Sequence, residues 1–281
     1  MNAEHAMTIG DTQNHSGHDH PHSHEGCHTH KSVERVVTVR AVSGLSGDML
    51  LTGLACLAGL GAGELNTLTE AIGLPALKGC VYVELRSVHA IAGWGCRIDL
   101  PHEHSHRTLA DILQLIEQSA LTERAKALSA ATFTLLAEAE GRVHQRPIEQ
   151  VRFHEVGALD SILDICMVCA LFDRLNPDVF VCSPLPMGDG GVQCAHGWIP
   201  TPAPAVLELL EGIAVCGFTG RGETVTPTAI ALLRTLGAQF GPWPVMVVER
   251  RALVYGDRIF ENAPNGAVFA MGHGLAETVA E

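Results

Sequence analysis

From Ala158 to Leu175 the chain reads Ala-Leu-Asp-Ser-Ile-Leu-Asp-Ile-Cys-Met-Val-Cys-Ala-Leu-Phe-Asp-Arg-Leu, a helix that is apolar on nearly every side. A helix of that kind is stable in water only when it is buried. Its entrance is the opposite in character. Phe153-His154-Glu155-Val156-Gly157-Ala158-Leu159-Asp160-Ser161-Ile162-Leu163-Asp164 gathers one histidine and three carboxylates. Gly157 breaks the run, so His154 and Glu155 are expected in a turn that the helix N-terminus faces. Asp160 and Asp164 are four apart and share one helical face. A carboxylate near a helix start is favoured by the dipole, which accounts for Asp160 as a simple cap. It does not account for a His-Glu pair followed by a second acid on an apolar helix. Such groups are costly to bury unless they are paired or bind a metal. The segment reads as a metal or acid/base site, with His154 and Glu155 as ligands and Glu155 and Asp160 as the acid/base groups.

The rest of the chain has the means to cover that helix. It has 281 residues, 47% of them hydrophobic, and a mean hydropathy of +0.19. Aromatics are only 5%, so the core must be built from Leu, Val, Ile and Ala. The formal net charge of −13 speaks against nucleic-acid binding, which needs a basic stripe, and suits a protein that attracts cations. No run reaches the roughly 18 apolar residues of a membrane helix. The N-terminus lacks a basic start followed by an apolar stretch, so a cytoplasmic location is expected. The nine cysteines show no disulfide framework, and Cys56, Cys166, Cys169 and Cys182 fall in apolar segments. They read as buried reduced thiols. The Cys166-x-x-Cys169 pair lies inside a helical run rather than at a helix start, which does not suit a redox or zinc role.

Histidines concentrate in two further places. Residues 1–31 carry His15, His18, His20, His22, His24, His28 and His30 among Ser, Gly, Asp and Thr. With no apolar periodicity this is expected to be a disordered tail that captures divalent metals. Pro101-His102-Glu103-His104-Ser105-His106-Arg107 is different. If extended, it places His102, His104 and His106 on one side. Three imidazoles with a fourth position open resemble a labile or catalytic metal site.

Val33–Val42 is a strand-type run, followed by Ser43-Gly44-Leu45-Ser46-Gly47-Asp48 and the helical stretch Met49–Leu60. Strand, glycine-rich turn and helix make an anion-binding arrangement, since free N–H groups at a helix start face the ligand. The same residues also fit a tight turn capped by Ser46 or Asp48. Cys80–His89 and Ile91–Leu100 read as a hairpin, and residues 108–119 and 122–143 as two helices. The proline- and glycine-rich passage from Ser183 to Pro204 is expected to be irregular turns. His196, within Cys194-Ala195-His196-Gly197, is its candidate ligand or base. Thr226 and Pro227 start a helix. The hydroxyls of Thr226 and Thr228 either hold a phosphate or merely cap.

Five of these blocks resemble, in order, the LarC family: Ser43-Gly44-x-Ser46-Gly47-Asp48-Met49; His102-x-His104-x-His106-Arg107; Phe153 to Ile162; Cys194-Ala195-His196-Gly197 with its proline segment; and Val225-Thr226-Pro227-Thr228. The resemblance runs from about Val33 to about Phe240. It implies a nickel chelatase (cyclometallase). Nickel enters pyridinium-3,5-bisthiocarboxylic acid mononucleotide through two sulfur bonds and one carbon bond, CTP is hydrolysed, and an apo-racemase-type enzyme receives the cofactor. On this reading the metal ligands are His102, His104, His106, His154, Glu155 and His196. The mononucleotide is seated by Ser43, Gly44, Ser46, Gly47, Asp48, Thr226 and Thr228. Two departures stand out. Arg40 occupies a position that is acidic in the family, and Val254-Tyr255-Gly256-Asp257-Arg258 replaces a glycine-rich motif. The family's C-terminal domain, which carries oligomerisation and CTP binding with a divalent metal, is expected from a separate polypeptide.

The expected architecture is α/β: a mixed sheet with flanking helices, preceded by the His-rich tail. Residues 1–31 form the tail, 32–240 the LarC-like domain, and 241–281 a diverged set of C-terminal strands. The rival functions are a nickel storage or delivery metallochaperone without chemistry of its own and a metal-dependent phosphohydrolase.

Overall fold

The computed structural model describes residues 34–101, 107–153, 157–194 and 196–275. Val33–Glu281 is one unit. It opens with β1 (Arg35–Ala41), α1 (Gly47–Ala58) and α2 (Ala62–Ala71), and the expected hairpin follows as β2 (Val81–Val88) and β3 (Ile91–Ile98). Next come α3 (Leu109–Gln118), α4 (Glu123–His144) and α5 (Leu159–Leu175). Short strands β4 (Val179–Cys182), β5 (Leu185–Asp189), β6 (Gly191–Cys194) and β7 (Gly197–Pro200) precede α6 (Pro204–Leu209). The chain then forms β8 (Val215–Arg221), α7 (Pro227–Thr235), β9 (Gln239–Phe240), β10 (Met246–Val254) and β11 (Ala267–Gly274).

Seven of these strands form one sheet in the order β2-β3-β10-β11-β1-β4-β9. It is mixed: β1 runs parallel to β4 but antiparallel to β11. The fold is therefore the α/β mixed sheet with flanking helices that the patterning implied. Residues beyond 240 supply β10 and β11, which lie in the middle of the sheet between β3 and β1.

The apolar helix α5 is enclosed by α1, α2, α4 and α7, which explains why it needs no polar face. In α5 only Asp160 and Arg174 are exposed, while Ser161 and Asp164 at its entrance and Asp173 at its exit are half-buried. Each Leu, Ile or Phe buried between them contributes about 1.5–3 kcal/mol. Cys166 and Cys169 face the small buried residues Ser129 and Thr132 of α4, and burial pushes both thiols up to about 12. They are core thiols, as their place in the helix implied.

The passage from Ser183 to Pro204 departs from expectation. It contains three strands and the start of a helix. Its prolines are tolerated because the strands stand outside the main sheet: among the described residues β5 pairs only with β8, and β6 only with β7. Pro186 lies within β5 of that two-stranded sheet and Pro200 ends β7. Edge positions of this kind do not require a ladder N–H from proline.

Candidate functional site

Two cavities meet at the entrances of α1 and α5. The first, of about 690 Å³, lies between the loop Ser43–Asp48, the start of α5 and residues Gly256–Arg258. The second, of about 610 Å³, reaches past Glu140 and His144 of α4 to Cys194 and His196. Ser46, Asp48, Asp160, Asp164, Val192, Glu223 and Thr226 line both and form their common wall.

The glycine loop is held rigidly. Leu45 N donates to Thr224 O at 2.9 Å, and Thr226 N donates to Leu45 O at 3.1 Å, so the loop is zipped to the segment before α7. Gly44 has φ +150°, and a Cβ there would lie 2.0 Å from Thr224 O. Only glycine allows that approach. Ser43 Oγ accepts from Gly266 N at 3.0 Å, a link from the loop to the start of β11. Thr226 caps α7, its hydroxyl accepting from Ala229 N at 3.3 Å. The two hydroxyl-bearing motifs, far apart in sequence, thus line one cleft: Ser43, Gly44, Ser46, Asp48 and Thr226 border the first cavity, while Gly47 and Thr228 border the second.

The common wall is acidic. Ser46 is the N-cap residue of α1, but its hydroxyl donates to Asp48 Oδ1 instead of capping the helix. Burial raises the Asp48 carboxyl above its ordinary range; the Ser46 hydroxyl opposes the rise, Asp257 adds to it, and the Met49 N–H opposes it. Asp164 is held well above the carboxylate range, first by burial and then by the charges of Asp48 and Asp160. Its Oδ1 is buried with no hydrogen-bond partner among the described residues. A Cβ on Gly47 would come within 2.5 Å of Asp164 Oδ2, so the carboxyl sits directly against the first turn of α1. Cys96 of β3 borders the same cavity, and burial with both aspartates pushes its thiol up to about 12. Asp160 is exposed at the mouth and accepts from Ser161 N at 2.7 Å. Asp160 and Asp164 do share the face facing the clefts, as their spacing implied.

Arg258 and Phe260 add a cation and an aromatic ring to the first cavity. The Arg258 guanidinium lies 5.0 Å from the Phe260 ring centroid and donates to Glu223 O at 3.0 Å. Gly256 and Asp257 border the same cavity. Arg40 donates to Gly241 O at 2.9 Å.

In the second cavity His196 stacks near His144 of α4, ring centroids 5.0 Å apart. His144 Nε2 lies 3.3 Å from Glu140 Oε2. His144 belongs to none of the motifs read from the sequence. The only signal was its place at the end of a helix whose last turn also holds Glu140.

His102, His104, His106, His154 and Glu155 lie outside the described residues, as do the histidines of 1–31. The residues flanking the two short segments are described, and they are tied together. Phe153 N donates to Arg107 O at 3.3 Å, and Arg107 Nη1 donates to Gly157 O at 2.9 Å. Pro101 and Ala158 both border the first cavity. Among the described residues no group of three or more His, Cys, Asp or Glu side chains is arranged to hold a metal ion.

The sequence profile of the nickel insertion protein family matches residues 37–279. The chain belongs to that family. The match begins in β1 and runs through β11, so it includes the last two strands of the sheet. A nickel insertion family protein from Syntrophotalea carbinolica, named for that role, is 40% identical over 79% of this chain and 56% of its own length. A Staphylococcus epidermidis protein named pyridinium-3,5-bisthiocarboxylic acid mononucleotide nickel insertion protein is 36% identical over 79% of this chain and 55% of its own length. A Dictyoglomus thermophilum protein, also named for nickel insertion, is 36% identical over 85% of this chain. The chain thus spans a little over half the length of these relatives. No solved structure matches it. Among the described residues no helix is long and apolar enough to cross a membrane.

Proposed function

We propose that this chain takes part in inserting nickel into pyridinium-3,5-bisthiocarboxylic acid mononucleotide, the substrate in the name of its Staphylococcus epidermidis relative. The observation that carries the reading is the tie between the two histidine segments. Arg107 on the flank of 102–106 is hydrogen-bonded to Phe153 and Gly157 on the flanks of 154–156, and Pro101 and Ala158 nearby border the cleft that holds the acidic wall. Nickel is the substrate ion. On this reading His102, His104, His106, His154 and Glu155 hold it at the cavity rim, loosely enough to surrender it to thiocarboxylates, with His196 on the side of the second cavity. The mononucleotide lies in the first cavity against the Ser43–Asp48 loop and Thr226, with Thr228 on the far side of the wall. Glu155 and Asp160 serve as acid/base groups at the mouth. CTP, with its divalent metal, is placed on a domain supplied by a separate polypeptide or a further segment. The enzyme is on this view a chelatase of the lyase class whose product is passed to an apo-racemase-type acceptor in the cytoplasm. Residues 1–31 serve as a reservoir that raises nickel capacity, and residues 32–240 carry the site.

The test pairs thermal melts with nickel-dependent activation of an apo-racemase for His154→Ala and Glu155→Gln, the CTP-binding domain being present. The expected stability loss is about 1 kcal/mol, because truncation in a turn opens little core. The expected loss in activation is on the order of a hundredfold. A variant that melts far earlier than the parent makes the segment structural and moves the metal to His102, His104 and His106. Deleting residues 1–31 is expected to lower the number of nickel ions bound while leaving at least one tighter site. Loss of all nickel binding at micromolar metal refutes a site in the folded unit.

A further inference from the structure

A nickel–carbon bond of the kind that the family resemblance implies leaves a proton to be disposed of, and Asp160 stands exposed at the mouth rather than inside the cleft. The common wall of the two cavities offers an acceptor. We propose that Asp164, paired with Asp48 across the entrances of α5 and α1, is the catalytic group that receives the proton displaced from the substrate's ring carbon. This rests on the nickel-insertion reading and deepens it.

Three features of the geometry single out the pair. Both carboxyls border both cavities, so either cavity gives a ligand access to them. Each is set differently by its surroundings. Asp48 is hydrogen-bonded by the Ser46 hydroxyl. Asp164 presses on Gly47, where any side chain would collide with it, and its Oδ1 has no partner among the described residues. A buried acceptor with no partner is costly to leave unmatched. Burial raises both carboxyls, and the Asp48 charge raises Asp164 further, so that Asp164, once ionised, is a stronger proton acceptor than an ordinary carboxylate. The groups facing it are Asp160 on its own helix, Cys96 on β3, Asp257 after β10 and Glu223 before α7, with Arg258 the cation on the same cavity. Arg86 is occupied by Asp257 at 2.8 Å.

The step balances without a redox partner. The ring C–H bond breaks, its electron pair becomes the nickel–carbon bond, and the proton passes to the ionised Asp164 carboxyl. Nickel stays divalent, and the two thiocarboxylates bind it as thiolates.

The experiment follows nickel incorporation into the mononucleotide by mass spectrometry, with CTP and its binding domain present, from pH 5 to 9. Wild type and Asp164→Asn are compared, using substrate carrying hydrogen or deuterium at the ring carbon. Wild type is expected to speed up with pH through a value above the ordinary carboxylate range. Asp164→Asn is expected to lose about a hundredfold in insertion and to lose that pH limb, with mononucleotide binding changed less than about twofold. The residual reaction is expected to show a larger deuterium effect, a signature that a merely structural role would not move. Insertion by Asp164→Asn within about threefold of wild type overturns the proposal. So does a flat wild-type profile, which needs no variant to fold. If wild type inserts no nickel under any of these conditions, it is the nickel-insertion reading that has failed.

Discussion

The contact between Gly47 and Asp164 sets the distance between α1 and α5, and it can be tested without any ligand. Gly47 is the first residue of α1, with a backbone conformation open to alanine, so Gly47→Ala should by helix propensity alone gain about 0.5–1 kcal/mol. The structure predicts the opposite. The added methyl would lie 2.5 Å from Asp164 Oδ2 and 3.0 Å from Asp164 Cβ, where carbon–oxygen contact normally requires well over 3 Å. Overpacking of that kind costs about 1–3 kcal/mol, so the net expectation is a loss of about 1–2 kcal/mol. For a unit of this size that is a drop in Tm of about 2–8 °C. A generic helix effect is separated from this contact by a double-mutant cycle with Asp164→Ala, read by urea or thermal unfolding. Removing the carboxyl takes away the 2.5 Å contact, giving a coupling of about 1–2 kcal/mol and a double variant more stable than the sum of the two single effects. Losses that add within about 0.5 kcal/mol would mean that the two residues do not touch and that the acid pair is misplaced.

Three further outcomes follow from the same wall and its surroundings. Because the Asp164 carboxyl is raised in the folded state, the fold binds its proton more tightly than the unfolded chain does. Its contribution is therefore intact below the ordinary carboxylate range and fades as pH rises toward the folded value, by up to about 1.36 kcal/mol per pH unit; melts of Asp164→Asn and wild type should converge near pH 4 and favour the variant at pH 8, and a gap that stays constant with pH contradicts this. Thr226→Ala removes the cap of α7 and should cost about 0.5–2 kcal/mol; a rise in substrate KM beyond what the melt explains would mark a second, ligand-binding role for the hydroxyl. Iodoacetamide at pH 8 should modify exposed Cys216 while sparing Cys166, Cys169 and Cys182, each pushed up to about 12 by burial; peptide mass spectra showing equal labelling would mean that the α5 core is open.

What the sequence determined by itself was everything that depends on local periodicity. The unbroken apolar run of α5 dictated a buried helix, the two strand-type runs in residues 80–100 dictated the β2–β3 hairpin, and the four-residue spacing of Asp160 and Asp164 dictated a shared face. Family membership was also legible, because the motifs around Ser43, Phe153 and Thr226 are unusual in residue type and order. Tertiary structure decided the rest. Strands β5 to β8 were hidden by their prolines and glycines, which are permitted there because each pairs on one side only. The approach of Leu45 to Thr224, of His144 to His196, and of Asp48 to Asp164 joins residues far apart in the chain, and no local pattern records such a pairing. The glycines show the limit most plainly. Gly44 and Gly47 announce a turn in the sequence, but that one glycine admits a carbonyl oxygen and the other a carboxylate depends on which helices and loops the fold brings beside them.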